Sequence, residues 1–125
     1  MGKIKKFDEL FEYKTFLTEQ ELLEMANVTD ETTGIKNVVI WIGPPPTMHG
    51  HRIKISNIPN KFDGSDCFVM TIPEFDIIGN VNKSFIKTET IEKIKEFVLL
   101  NMDLIIDYSN YKTSTKELLD NLKSV

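Results

Sequence analysis

The chain has 125 residues, which fits one domain that buries most of the surface its unfolded form would expose. Hydrophobic residues make up 41% and charged residues 27%, a balance that excludes disordered, collagen-like and membrane classes. The net charge of −4 disfavours a large basic surface for duplex nucleic acid. The single cysteine, Cys67, excludes an internal disulfide and a four-cysteine zinc site.

Residues 1–34 form an acidic segment with four lysines and eight acids. Its start is not a targeting sequence, because acids stand in residues 7–12 where an apolar core would be needed. We therefore predict a cytoplasmic protein without membrane contact. The capping box Thr18–Glu21 predicts a short helix from about Glu19 to Asn27. Residues 7–17 fit both a helix and a strand, and residues 30–34 are typical of a loop.

The middle segment, residues 35–80, predicts a sheet. Residues 36–42 are apolar on both faces, which indicates an interior strand that ends at the prolines of residues 44–46. Residues 51–57 alternate, so His51, Ile53 and Ile55 share one face, and the opposite face is predicted to be polar and solvated. Two further strands are predicted at about residues 66–72 and 75–78.

Residues 88–125 predict the helical part of the domain. Apolar residues at steps of three and four indicate one long helix from about Glu89 to Tyr108. Asn101 falls on its apolar face and must form inward hydrogen bonds if it is buried. A short terminal helix follows at residues 115–122. The predicted fold class is α+β: a single domain, 1–125, with an antiparallel sheet of three or four strands covered on one face by the long helix.

The candidate site is the stretch from Pro44 to Lys54, because it holds both histidines and the only arginine. His49 and His51 are two residues apart, so in extended structure their rings point the same way. A metal would need further ligands, and the nearest ones, Asp63, Asp66 and Cys67, match no ligand spacing. We therefore predict no metal and no cofactor. The residues predicted to bind a partner are His49, His51, Arg52, Lys54 and Trp41.

RNA cleavage is the alternative chemistry for this stretch. His49 and His51 would act as acid and base, with Arg52 stabilising phosphate charge. Arg52 and Lys54 project from the face opposite His51, so this cooperation requires a bulge near Gly50. A weak RNA or phosphate contact along His49–Lys54 needs no such bulge. Cys67 is predicted to be a small core residue, and no phosphate-binding, zinc-protease or serine-hydrolase motif is present.

Residues 41–110 resemble a family of small bacterial and phage proteins of unknown function, some encoded near toxin–antitoxin genes. The resemblance lies in Pro45-Pro46, in the strand from His49 to Lys54, and in a helix from Lys93 to Tyr108. Thr47 and Met48 stand where the family has an aromatic residue beside the first histidine. The resemblance implies a small α+β domain that originates in a phage or mobile element.

The chain holds no complete catalytic constellation, so the predicted function is a non-enzymatic binding module that acts on a protein partner. A host defence nuclease or a toxin is the type of partner that this interpretation favours, with the acidic flanks imitating nucleic-acid charge. The alternative is an RNA-directed toxin or nuclease that uses His49, His51 and Arg52. A third interpretation is a homo-oligomer formed through an exposed sheet edge.

Overall fold

The computed structural model describes residues 25–43 and 50–125, and within them it forms an α+β fold with a five-stranded antiparallel sheet and four helices. The sheet order is β1-β2-β3-β4-β5, so each strand lies beside its neighbour in sequence. The strands are β1 (Ala26–Val28), β2 (Ile40–Ile42), β3 (His51–Ser56), β4 (Cys67–Ile72) and β5 (Ile77–Ile78). The helices are α1 (Asp30–Thr33), α2 (Thr88–Leu100), α3 (Met102–Ser109) and α4 (Thr115–Asn121).

The predicted α+β fold class is confirmed, although the sheet has five strands where three or four were predicted. The strands β3, β4 and β5 lie where the sequence places them. Their register is continuous: His51 faces Ile72 at one end of the β3–β4 ladder and Ser56 faces Cys67 at the other. The predicted interior strand of residues 36–42 is shorter, since β2 covers Ile40–Ile42, and it lies between β1 and β3 as expected.

Two predictions for the first part of the chain are wrong. The helix predicted to run to Asn27 does not reach it, because Ala26 and Asn27 belong to β1 and pair with Ile42 and Trp41. The loop predicted at residues 30–34 is the short helix α1, which ends at Gly34 in the left-handed conformation. The capping box at residues 18–21 and the open alternative at residues 7–17 lie outside the described residues.

The main core lies between one face of the sheet and the helices. One apolar cluster joins the sheet to side chains from three helices, and its members from β2, β3 and β4 are Ile40, Ile42, Ile53, Ile55, Phe68, Met70 and Ile72. The helical contributors are Ile94, Phe97, Val98, Ile105 and Leu118. The helices α2, α3 and α4 therefore supply the apolar layer for the face that His51, Ile53 and Ile55 share.

The single long helix predicted from Glu89 to Tyr108 is wrong, because the chain breaks at Asn101 into α2 and α3. The buried Asn101 amide donates to the Phe97 carbonyl at 2.9 Å, in competition with the backbone bonding of the helix. It also donates to the Lys123 carbonyl at 2.9 Å and accepts the Lys123 backbone amide at 2.8 Å. The prediction that Asn101 bonds inward is confirmed, and these bonds attach the segment after α4 to the break.

We expect Asn101→Ala to lower the free energy of unfolding by about 2 kcal/mol, because three hydrogen bonds of a buried side chain are lost. Chemical denaturation followed by circular dichroism measures this change. Asn121→Ala is the matched control, since the exposed Asn121 amide bonds only within its own helix, and we expect it to cost less than about 0.5 kcal/mol. Equal costs for the two variants would contradict the role assigned to Asn101.

A second buried asparagine, Asn57, joins two connecting segments of the chain. The Asn57 amide donates to Asp66 Oδ1 at 2.9 Å and to the Asn80 carbonyl at 2.8 Å. Its side-chain oxygen accepts the backbone amide of Asn82 at 2.9 Å. The β3–β4 connection and the segment between β5 and α2 are therefore held together by one side chain.

Candidate functional site

Strand β3 carries the described part of the predicted site, and it does not bring His51 and Arg52 to one face. The regular ladder with β4 places His51 with Ile53 and Ile55, and places Arg52 with Lys54 and Ser56 on the opposite face. No bulge interrupts residues 51–56, so the geometry that the RNA-cleavage alternative requires does not occur within them. His49 lies outside the described residues.

His51 stands at the start of β3 and is half-buried. Its Nδ1 is buried and has no hydrogen-bond partner among the described residues. A general base must lie within hydrogen-bond distance of the proton that it takes, and the described residues do not bring His51 together with Arg52. The geometry therefore gives His51 the position of a strand-end residue beside the core.

The prediction that Arg52 and Lys54 form a solvated face is wrong. Arg52 is 3% exposed and Lys54 is 1% exposed. Neither side chain is without an interaction partner. Burying a charged group costs several kcal/mol unless its partners compensate, so these cations are parts of the protein interior. They are not open to a polyanion in the way that the predicted RNA or phosphate contact assumed.

Trp41 belongs to the same buried face. In the sheet register it lies beside Lys54, and Lys54 lies beside Val69, so the three residues form one row across β2, β3 and β4. The Trp41 ring meets Phe62 edge to face, with ring centroids 5.3 Å apart at 69°. The centre of the sheet is therefore buried on both faces, with an apolar core on one side and Trp41 with two cations on the other.

Cys67 does not have the properties of a reactive thiol. It lies at the start of β4 with its thiol donating to the Gly64 carbonyl at 3.7 Å. Burial raises the pKa of the Cys67 thiol to about 11, so the group stays protonated at neutral pH. The described residues also contain no cluster of three histidine, cysteine, aspartate or glutamate side chains that could hold a metal ion.

The described surface offers a different candidate at the break between α2 and α3. Leu99 is 60% exposed and Leu100 is 50% exposed, which makes them the most exposed leucines of the described residues. They border a groove of about 290 Å³ that the following residues also line: Asn101, Met102, Asp103, Leu104, Asn121 and Lys123. We call this groove with its two leucines the helix-break surface.

The reason for the exposed leucines is the break itself. Leu99 and Leu100 stand off the stripe that the buried Ile94, Phe97 and Val98 form on α2, and the chain turns at the next residue. Contiguous exposed apolar surface rimmed by polar residues marks interaction sites on soluble proteins, which makes this pair a candidate. The adjacent leucines are visible in the sequence, but the apolar spacing of three and four that predicted the helix did not include them.

A second groove of about 340 Å³ lies at the other end of α2, next to the edge strand β5. Its lining is apolar except for two lysines and a threonine, and its members are Ile77, Val81, Lys83, Ile86, Lys87, Thr88 and Ile91. We call it the β5–α2 groove. Among the described residues neither of its lysines has a carboxylate within ion-pair distance.

None of the helices in the described residues is both long and apolar enough to cross a membrane.

Comparison with known proteins adds no relative. The family resemblance of residues 41–110 stays a prediction. No protein-family model matches the chain, and no curated protein and no solved structure matches it at a significant level.

Proposed function

We propose that this protein is a non-enzymatic binding module and that the helix-break surface takes a partner protein. The observation that carries the proposal is the pair Leu99 and Leu100, exposed side by side at the rim of a groove. Leucines in such a position gain about 1.5–3 kcal/mol each when they are fully buried against a partner, and a half-exposed leucine gains part of that. The partner must therefore offer an apolar face.

The charge around these leucines defines the rest of the partner. Residues 88–125 hold seven acids and five lysines, a net charge of −2. Glu96 and Asp103 are exposed within one helical turn before and after the leucine pair. Two of the lysines, Lys95 and Lys116, already pair with acids of their own helices, and a third, Lys123, lines the groove together with Asp103. An amphipathic helix with basic residues along its apolar face is the chemistry that complements this surface.

The same charge argues against a second copy of the chain as the occupant. Two copies that met through this surface would each bring a segment of net charge −2, residues 88–125, to the interface. Like charges in an interface cost free energy and suppress the wrong partner. The proposal thus commits to a basic amphipathic partner, and self-association is an outcome of the test.

The test uses an 18-residue helical peptide of leucine and lysine, labelled with fluorescein, and its leucine–glutamate counterpart. We expect fluorescence anisotropy to show that the basic peptide binds the wild-type protein. Its affinity for the double variant Leu99→Ser, Leu100→Ser should be at least about tenfold lower, because the apolar contact is lost. Leu119→Ser is the control, since this exposed leucine of α4 does not line the groove, and its affinity should stay within about twofold.

Three results would contradict the proposal. The first is equal binding of the basic and acidic peptides, and the second is unchanged binding by the double variant. The third is a dimer in sedimentation experiments on the wild-type protein that the double variant loses, which would make a second copy the occupant. Circular dichroism of each variant confirms that the substitutions at these exposed positions leave the fold intact.

A further inference from the structure

The β5–α2 groove combines an apolar floor with a positive rim. Ile86 is buried at its base, and Val81 and Ile91 are half-buried beside it. Lys83 and Lys87 are exposed and are the charged residues among its lining. The lining has no carboxylate, although the protein as a whole is acidic. The helix-break groove differs, because its lining holds one acid and one lysine, Asp103 and Lys123.

The shape of this groove is held by the fold. Val81 and Lys83 alternate with Asn80 and Asn82 along the chain. The backbone carbonyl of Asn80 and the backbone amide of Asn82 both bond to the buried Asn57 side chain. The Phe85 and Ile86 amides both bond to the Asn82 carbonyl, at 3.0 and 2.7 Å. A groove whose walls are fixed in this way loses little conformational freedom when a ligand binds.

We propose that the β5–α2 groove binds a small amphiphilic carboxylate, with its apolar tail on Ile86, Val81 and Ile91 and its carboxylate between Lys83 and Lys87. An apolar floor is unsuited to inorganic phosphate or to a nucleotide, because a polar group there loses its hydration without a hydrogen bond in return. The volume of about 340 Å³ is at the lower end of the range of small-molecule sites, which fits a ligand of medium chain length. Two lysines match one carboxylate by charge.

The groove is independent of the proposed protein-binding function. Lys87 directly precedes α2 and Leu100 ends it, so they lie about 20 Å apart along a helix that rises about 1.5 Å per residue. A variant in one place therefore leaves the other in its native surroundings. Failure of the peptide experiment and failure of the carboxylate experiment are consequently separate results.

The experiment titrates decanoate, below the concentration at which it forms micelles, into the full-length protein and follows binding by calorimetry and backbone amide shifts. We expect saturable binding with shifts at residues 77–91, and about tenfold weaker binding of octanoate, which lacks two methylene groups. Acetate and decyltrimethylammonium should not bind, because the first lacks the tail and the second carries the wrong charge.

The variant for this test is Lys83→Glu combined with Lys87→Glu, and we expect it to weaken decanoate binding by at least about tenfold. Lys93→Glu is the matched control: Lys93 is an exposed lysine of α2 outside the groove, and decanoate affinity should stay within about twofold. Co-sedimentation with phosphatidylglycerol vesicles separates a free ligand from a lipid surface.

The proposal is overturned if decanoate does not saturate, if the cationic amphiphile binds equally well, or if the charge-reversed variant keeps its affinity for decanoate. Binding to vesicles without binding of free decanoate would assign the lysines to a lipid surface and would also overturn it. Saturable decanoate binding that the double variant loses, and the Lys93→Glu control keeps, supports it.

Discussion

Trp41→Ala lowers the free energy of unfolding by about 4 kcal/mol, the largest effect that we expect from a single substitution in this protein. The Trp41 side chain is 1% exposed and lies on the face of the sheet opposite the core to which α2, α3 and α4 contribute. Its loss removes the contact with Phe62 and leaves a cavity beside Lys54. Denaturation in urea, followed by circular dichroism, measures the change.

A domain of this size has a total stability of about 5–15 kcal/mol, so the alanine variant can fall below the threshold for folding. Trp41→Phe keeps most of the ring contact, and we expect it to cost about 1.5 kcal/mol. Tyr111→Ala is the control, because Tyr111 is a highly exposed aromatic residue and its loss should cost less than about 0.5 kcal/mol. A Trp41→Ala protein within about 1 kcal/mol of the wild type would show that this face of the sheet is open to solvent.

Lys54→Ala is the second substitution with a large expected effect, about 3 kcal/mol of lost stability. Lysine is ordinarily a surface residue, and its replacement there changes stability little. Lys54 is instead buried in the row between Trp41 and Val69, so the substitution removes both its buried stem and the interactions of its ammonium group. Thermal and urea denaturation of the purified variant test this.

Two companions make the lysine experiment specific. Lys54→Met keeps the buried stem and removes the charge, so it should cost less than the alanine variant. Lys93→Ala, at an exposed position on α2, should cost less than about 0.5 kcal/mol. If Lys54→Ala and Lys93→Ala had the same small effect, Lys54 would belong to a solvated face, as its sequence pattern had predicted.

The buried position of Lys54 shows where sequence reasoning reached its limit. Alternation correctly assigned Arg52, Lys54 and Ser56 to one face of β3, because a strand has a fixed period of two. Alternation does not reveal whether that face is covered, since coverage depends on parts of the chain that are distant in sequence. The charges of Arg52 and Lys54 suggested that these side chains are exposed to solvent, but both are buried in the folded protein.

Strands with a clear alternation of apolar and polar residues were predicted correctly, whereas elements that depend on distant contacts were not. Strands β3 and β4 each have six residues with clear alternation, and both were located correctly. Strand β1 has three residues and exists through its pairing with β2, a contact that no local pattern reports. Asn101 was recognised as a polar residue on an apolar face, but the break in the helix was not predicted, and the bonds from Asn101 to the segment after α4 are long-range.

The proposed binding surface differs from the predicted site, of which residues 44–49 lie outside the described residues. The sequence directed attention to residues 44–54 because both histidines and the arginine occur there. In the structure Arg52, Lys54 and Trp41 are interior residues, and the exposed apolar surface lies instead at Leu99 and Leu100. Uncommon residue types in a stretch of sequence do not show whether their side chains are exposed. Leu99 and Leu100 lie outside the buried face of α2, and apolar side chains in such positions are exposed to solvent.

The most direct test of the proposed function is a backbone amide map of the uniformly labelled protein during titration with the basic amphipathic peptide. We predict that the shifts concentrate at residues 96–104 and 121–123, around the helix-break surface. The amide signals of residues 51–56 in the buried strand should stay unchanged. Shifts centred on strand β3, or a spectrum that the peptide leaves unaltered, would contradict it.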